Sequence, residues 1–370
     1  DTLRYVWLNM DQNRFAADSK YVAQRRSDGD NKESYGTIRG AYGHQDGDFG
    51  FKVKSIVGSA GQELNYTVVD TLMRVDLPVP LAGGGQTSFT VAWSHKIIEG
   101  EIYFGRGGYE HFEDEDNDIF QIAQWYPRLA VYSDNEGWHQ QSFMGNSEFT
   151  LQFGDFDVEI TVPDDHIVTA TGVLQNPDTV LTSAQRDRLK QAETAKTPVM
   201  IVNQQEAIRN EADKAKRSKT WHFKAENVRD FAWASSRKFQ WDAQGYKTRD
   251  NRTVMAMSFY PKEASPLWDL YSTAALIHSM DVFGEKIFPY PYPVMISVNG
   301  QVGGMEYPML AFNGPRPVKD KKTEEITYSR ATKNALIAVV IHEAGHNWFP
   351  MIVNSDERHW TWMDEGLNTY

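Results

Sequence analysis

Apolar and polar positions alternate through much of the first half of the chain. Phe51 to Val57 (FKVKSIV), Phe149 to Phe153 and Val158 to Val162 (VEITV) each alternate residue by residue, which predicts half-buried strands. Pro163-Asp164-Asp165 ends the last of these. Gly83-Gly84-Gly85 and Gly105-Arg106-Gly107-Gly108 read as turns between strands, and no phosphate-loop pattern accompanies them. The pattern changes near residues 182–218. Ser183 to Lys196 and Gln204 to Lys216 predict two surface helices on either side of Pro198, a helical excursion from a β-rich domain. Trp221 to Phe223 and Phe231-Ala232-Trp233 return to apolar packing.

The remainder is mixed and then helical. Val254 to Tyr260 predicts a strand. Ser265 as N-cap with Pro266 at the first position predicts a helix reaching Val282, ahead of Gly284. Pro289, Pro291 and Pro293 require a turn or an extended loop. Val294 to Val298 predicts a strand. Thr327 to Trp348 is the longest helix candidate, closed by Pro350. No internal repeat is found. The change of pattern divides the chain into a β-rich domain over 1–245 and a mixed domain over 246–370.

Composition narrows the class. At 370 residues the chain exceeds what one core usually serves, and 41% apolar residues are ample for packed cores. A formal net charge of -12 argues against a nucleic-acid or anionic-membrane binder. With no cysteine, disulfides, thiolate metal sites and cysteine nucleophiles are excluded, so any metal must be held by His, Asp and Glu. The first residues lack the basic start and apolar run of a signal peptide. Ala335 to Ile341 is too short to span a bilayer. The chain reads as soluble, and periplasmic or secreted if a signal peptide has been removed. The acidic run Glu113 to Asp118 lacks the spacing and glycine of an EF-hand and reads as a solvated loop.

The strongest chemical signal lies in the long helix, as His342-Glu343-Ala344-Gly345-His346. Histidines four apart on a helix are about 40° apart around the axis and about 6 Å along it, so both rings can reach one ion. Glu343 can then point at a water on that ion. Zinc lowers the water's pKa, and Glu343 takes its proton as general base. This is the H-E-x-x-H pattern with its mechanism. A catalytic zinc wants a third protein ligand. Separated from His346 by eighteen residues stands Glu365, in a helix-compatible stretch from Trp360 to Asn368. Spacing alone also admits Asp364 or Glu357. Asp364 suits either an orienter of a histidine N–H or an ordinary helix acid. His139, His166, His222 and His359 stand alone in the sequence and read as structural or solvent-facing.

Two motifs in order then resemble a known family, the gluzincin aminopeptidases, in their bacterial branch. His342-Glu343-x-x-His346 followed by Glu365 is one. The other is Gly303-Gly304-Met305-Glu306-Tyr307, similar to the family's G-x-M-E-N loop, with Glu306 placed 36 residues before His342. Leu8 to Phe15, Gln124 to Arg128 and Trp221 to Phe239 extend the resemblance over the whole chain. It implies a multidomain α+β protein: an N-terminal β-sandwich or saddle-like domain, then a thermolysin-like zinc domain, truncated here. It implies one zinc ion on His342, His346 and Glu365, with Glu343 as the catalytic carboxylate. Glu306 would bind the α-ammonium of a peptide substrate with a free N-terminus, and Gly303, Gly304 and Met305 would line that substrate. Gln121 or Gln124 would help hold the amine. Tyr307 replaces the family's Asn. The family's oxyanion-stabilising tyrosine and helical C-terminal domain lie beyond Tyr370, so the chain looks like a fragment. The implied function is a zinc aminopeptidase. The alternatives are a lipid-epoxide hydrolase of the same fold, an endopeptidase, and a non-catalytic peptide-binding scaffold.

Overall fold

A computed structural model of the chain describes residues 2–21, 34–36, 38, 47–103, 105–320, 322–323 and 325–370. These form two compact units. The first comprises residues 1–105, 124–152 and 355–363; the second comprises 106–123, 153–354 and 364–370.

The first unit is built from antiparallel strands. Leu72–Leu81 pairs with Tyr66–Val69 on one side and Leu3–Asn9 on the other, and Leu3–Asn9 also pairs with Arg128–Leu129. Lys52–Gly58 and Phe89–Ser94 form a separate pair. Alternation sets the core. Met73, Val75 and Leu77 are buried while Arg74 between them is exposed, as a strand with one solvated face requires. They pack with Val6, Leu8, Met10, Phe51, Ile56 and Leu64.

Among the described residues the second unit holds two larger antiparallel sheets, a short antiparallel pair (Val318–Lys319 with Ile326–Thr327) and one mixed sheet. Ile167–Ala170, Trp233–Ser236, Asn117–Ile122 and Gly108–Phe112 make a four-stranded sheet in that order. Gly154–Pro163, Ser218–Val228 and Val173–Leu174 make a three-stranded one. The mixed sheet comprises β1 (Val199–Val202), β2 (Gln240–Lys247), β3 (Thr253–Tyr260), β4 (Val294–Asn299), β5 (Gly304–Tyr307) and β6 (Leu310–Asn313). Its spatial order is β1-β2-β3-β4-β6-β5. The β3–β4 and β4–β6 pairs are parallel and the others antiparallel. Every residue of β4 is buried, as expected of a parallel strand covered on both faces. Helices α1 (Leu267–Lys286), α2 (Arg330–Gly345) and α3 (Trp362–Thr369) complete the elements used below. Helix α1 packs on β3, α2 packs on β6, and α1 and α2 pack on each other.

Several expected elements shift. The helix after Pro266 starts at Leu267 and runs to Lys286; Pro266 is its N-cap, and Ser265 Oγ instead accepts from Gln240 Nε2 at 3.1 Å. Helix α2 ends at Gly345, three residues short of Trp348. Phe149 to Phe153 is not a strand. Its Phe149 N–H donates to the Glu357 carboxylate at 2.9 Å, and Leu151 makes only an isolated bridge to Ala130. The 182–218 excursion holds helices at Ser183–Ala192 and Gln204–Asp213, with β1 between them. In the acidic run Glu113, Asp114 and Asp116 are exposed, Glu115 binds Lys238 at 3.1 Å and Lys262 at 2.6 Å, and Asn117 and Asp118 begin the strand Asn117–Ile122. Strand β2 runs across residues 245 and 246. Among the described residues, no helix is long and apolar enough to cross a membrane.

A buried carboxyl fastens α1 to the sheet. Asp242 on β2 accepts from Tyr260 Oη at 2.8 Å and from Thr273 Oγ1 at 2.5 Å. Burial pushes its pKa up to about 7, against hydrogen bonds that pull the other way. A folded pKa above the unfolded value gives stability that is present below about pH 4 and is lost as pH rises through about 7. The urea midpoint should therefore fall between pH 5 and pH 8 by an amount worth on the order of 1–4 kcal/mol. Asp242→Asn should flatten that slope. Parallel pH curves for the two proteins would show that Asp242 does not titrate in this way.

Candidate metal centre

The centre is built from α2, β5 and residues 364–369 of α3, all in the second unit. Ser329 caps α2 by accepting from the Thr332 N–H at 3.0 Å. The helix ends at Gly345, but His346 keeps a right-handed helical backbone (φ -57°, ψ -19°), so the four-residue spacing retains its helical geometry. The two imidazoles stand perpendicular with centroids 4.7 Å apart, and their Nε2 atoms are 3.1 Å apart. Helix α3 supplies Glu365, whose Oε2 lies 3.0 Å from His342 Nε2 and 3.7 Å from His346 Nε2. Asn368, one turn further on, donates from Nδ2 to the His342 carbonyl at 2.7 Å and ties α3 to α2. Gly345 permits this approach: a Cβ there would sit 2.3 Å from Asn368 Oδ1 and 2.8 Å from the Phe283 ring.

The donor set fits zinc. Three donors on a tetrahedral ion with bonds of about 2.0–2.1 Å are separated by about 3.3 Å, and the three separations here bracket that value. The protonation pattern agrees. His346 Nδ1 lies 2.8 Å from the Phe349 carbonyl and 3.2 Å from Asp364 Oδ1, both acceptors. The proton therefore sits on Nδ1, and Nε2 presents its lone pair to the centre. The electrostatics also favour a cation. Burial disfavours a charged His346, yet Glu306, Asp364 and Glu365 outweigh it and push that ring up to about 12. The hydrogen bond to His342, and then that to His346, holds Glu365 well below the usual carboxylate range.

Glu343 is 5% exposed, and its Oε2 has no hydrogen-bond partner among the described residues. Burial first, and then the charge of Glu365, push its carboxyl up to about 7. It faces β5: a Cβ on Gly304 would lie 2.5 Å from Glu343 Oε1 and would push the carboxylate aside. Strand β5 is the terminal strand of its sheet. Its Glu306 is buried, with Oε1 4.0 Å from His346 Nδ1, and Met305 is buried beside it. Gly303 is exposed and Gly304 half-buried at the start of the strand. Gln121 braces the preceding loop by accepting from the Val302 N–H at 3.0 Å. Gln124 belongs to the other compact unit. Tyr307 is fully buried, with its hydroxyl 3.5 Å from the Arg106 carbonyl.

The structure places the three acids that spacing leaves open in different surroundings. Glu365 joins the two histidines, Asp364 faces the far nitrogen of His346, and Glu357 holds Phe149 in the first unit. Sequence reasoning passes over Asn368 and Gly345. Asn368 falls three residues after Glu365, on the same helix face, which is a usable signal.

The chain has the fold of the M1 zinc metallopeptidases. Over its full length it matches the crystal structure of the M1 zinc metallopeptidase from Deinococcus radiodurans with TM-score 0.55 and 14% identity. A mutant of that enzyme gives TM-score 0.56, and the mutant bound to a Tyr-Ser-Ala substrate gives 0.53, both at 14% identity. In each case the chain spans 62% of the matched structure. No family model and no curated protein sequence matches the chain. The fold is thus a mixed α/β one, mostly sheet with several helices.

Proposed function

We propose that this chain carries the metal-holding and amine-recognising part of a zinc aminopeptidase. One observation supports this most: two imidazole nitrogens and one carboxylate oxygen converge at 3.0–3.7 Å beside two buried carboxyls, Glu343 and Glu306. His342 and His346 would hold zinc through Nε2, and Glu365 through its carboxylate. Zinc bound there supplies Lewis acidity for a carbonyl and a more acidic water.

The remaining chemistry belongs to the chain. Glu343 takes a proton from the attacking water and returns it to the leaving amine; a carboxyl raised toward neutrality suits both steps. Asp364 and the Phe349 carbonyl fix the His346 ring. Glu306 pairs with the substrate's α-ammonium in a charge-assisted contact and so admits chain ends. Gly303 and Gly304, at the start of a terminal strand, let an extended peptide approach the backbone. The tripeptide bound to one M1 structure is consistent with peptide substrates. The finer architecture, a saddle-like β-domain over 1–245 before a thermolysin-like zinc domain from 246, belongs to the same proposal.

The reading predicts selectivity for free N-termini. A peptide with a free amine should be cleaved about 10–100-fold faster than its N-acetylated form, in line with a lost charge-assisted contact of roughly 1.5–3 kcal/mol. Glu306→Ala should narrow that ratio. Equal cleavage of both peptides by the unmutated protein would remove the amine-recognition role and leave an endopeptidase.

A further inference from the structure

A second group of potential ligands lies in the first compact unit. Glu136, His139, Asp356 and His359 bring one ligand atom each to within 4.8 Å of one another. Glu136 and His139 flank the short strand Gly137–Trp138, which pairs with Tyr132–Ser133. Asp356 and His359 lie at the start of and within the single turn Glu357–Trp360. More than two hundred residues separate the two pairs in sequence, so each histidine reads as solitary there.

The two imidazoles have the pattern of ligands awaiting an ion. His139 is 8% exposed. Its Nε2 is engaged by Ser133 Oγ at 2.9 Å, but its Nδ1 has no hydrogen-bond partner among the described residues. That Nδ1 faces Asp356 Oδ2 at 3.6 Å, beyond hydrogen-bond reach. A buried nitrogen aimed at a carboxylate and bonded to nothing is costly unless something lies between them. His359 Nδ1 lies 2.6 Å from the same Asp356 Oδ2. On its other side, His359 Nε2 lies 2.7 Å from Gln141 Nε2, while Gln141 Oε1 is buried without a partner. Turning the Gln141 amide over lets Oε1 accept from His359 Nε2–H. The Nδ1 lone pair is then released toward the centre and Gln141 Oε1 gains a partner, which leaves His139 Nδ1 for an ion to satisfy. The His359 side chain is 35% exposed, which leaves it room to move back from 2.6 Å to the roughly 3 Å separation of two ligands on one ion.

We infer that Glu136, His139, Asp356 and His359 form a second divalent-metal site, separate from the centre on α2. Two imidazole nitrogens and two carboxylates suit zinc or a similar first-row ion; calcium and magnesium prefer all-oxygen shells. The ion would cross-link the 132–139 hairpin to the segment 355–363 and act as a structural clip.

Zinc counting after equilibrium dialysis at micromolar zinc tests this. The unmutated protein should hold about two ions per chain, and His359→Ala about one. His346→Ala should also hold about one, and the double variant none. Glu136→Gln changes an exposed residue and serves if the alanine variant misfolds; it should weaken the second ion by about tenfold or more. Calcium at the same concentration should not compete. An unmutated protein with a single ion, lost in His346→Ala, would overturn the second site. So would an unchanged count in His359→Ala and Glu136→Gln, with folding verified by circular dichroism. Failure of the centre on α2 would look different: His346→Ala would leave the count unchanged while His359→Ala still lowered it.

Discussion

Replacing Glu343 by Gln should leave the bound zinc unchanged and lower kcat/KM for peptide hydrolysis by about 10²–10⁴-fold, the range for one positioned general acid–base group. The amide keeps the size of the carboxyl, so the close packing against Gly304 is preserved. It cannot accept a proton. The three ligand atoms belong to other side chains and are untouched. Zinc content by mass spectrometry and steady-state rates on one tripeptide check both halves together. Turnover within about tenfold of the unmutated protein would show that the proton goes elsewhere.

The second large effect belongs to His346→Ala. This ring contributes Nε2 to the triad and uses Nδ1 to engage Phe349 and Asp364. Partners that only orient a ligand cost about 10–100-fold in metal affinity when removed, so loss of the ligand itself should cost more than about 100-fold. One zinc equivalent should disappear and hydrolysis should fall to background. The fully buried ring also leaves a cavity beside the buried Asp364 and Glu306 carboxyls, so the melting temperature should drop by several degrees. A variant that keeps the zinc count of the unmutated protein would refute the ligand assignment.

The grouping of the candidate ligands was legible in the sequence because helical periodicity carries it. His342 and Glu343 fall on α2 with His346 as its C-cap, and Glu365 and Asn368 fall on α3, so local spacing foretells which side chains share a face. What closes the site was not legible. The Phe349 carbonyl acts as the acceptor for His346 because the chain turns back after α2, and no residue type marks that. Alternation misled at Phe149 to Phe153, where the amide of Phe149 is claimed by a carboxylate 208 residues away and, among the described residues, only an isolated bridge to Ala130 forms. Alternation succeeds at Val158 to Val162, inside Gly154–Pro163, because Ser218–Val228 pairs with it in register there. The Glu136–His359 group shows the same limit from the other side. Its members gain chemical meaning only through long-range packing, which a lone histidine in a sequence cannot signal.

The central claim is that His342, His346 and Glu365 hold zinc. Anomalous diffraction at the zinc absorption edge, from crystals of the unmutated protein, tests it most directly. The account predicts a peak about 2.0–2.2 Å from His342 Nε2, His346 Nε2 and a Glu365 carboxylate oxygen. A zinc-supplemented crystal with no peak among these three atoms would contradict it.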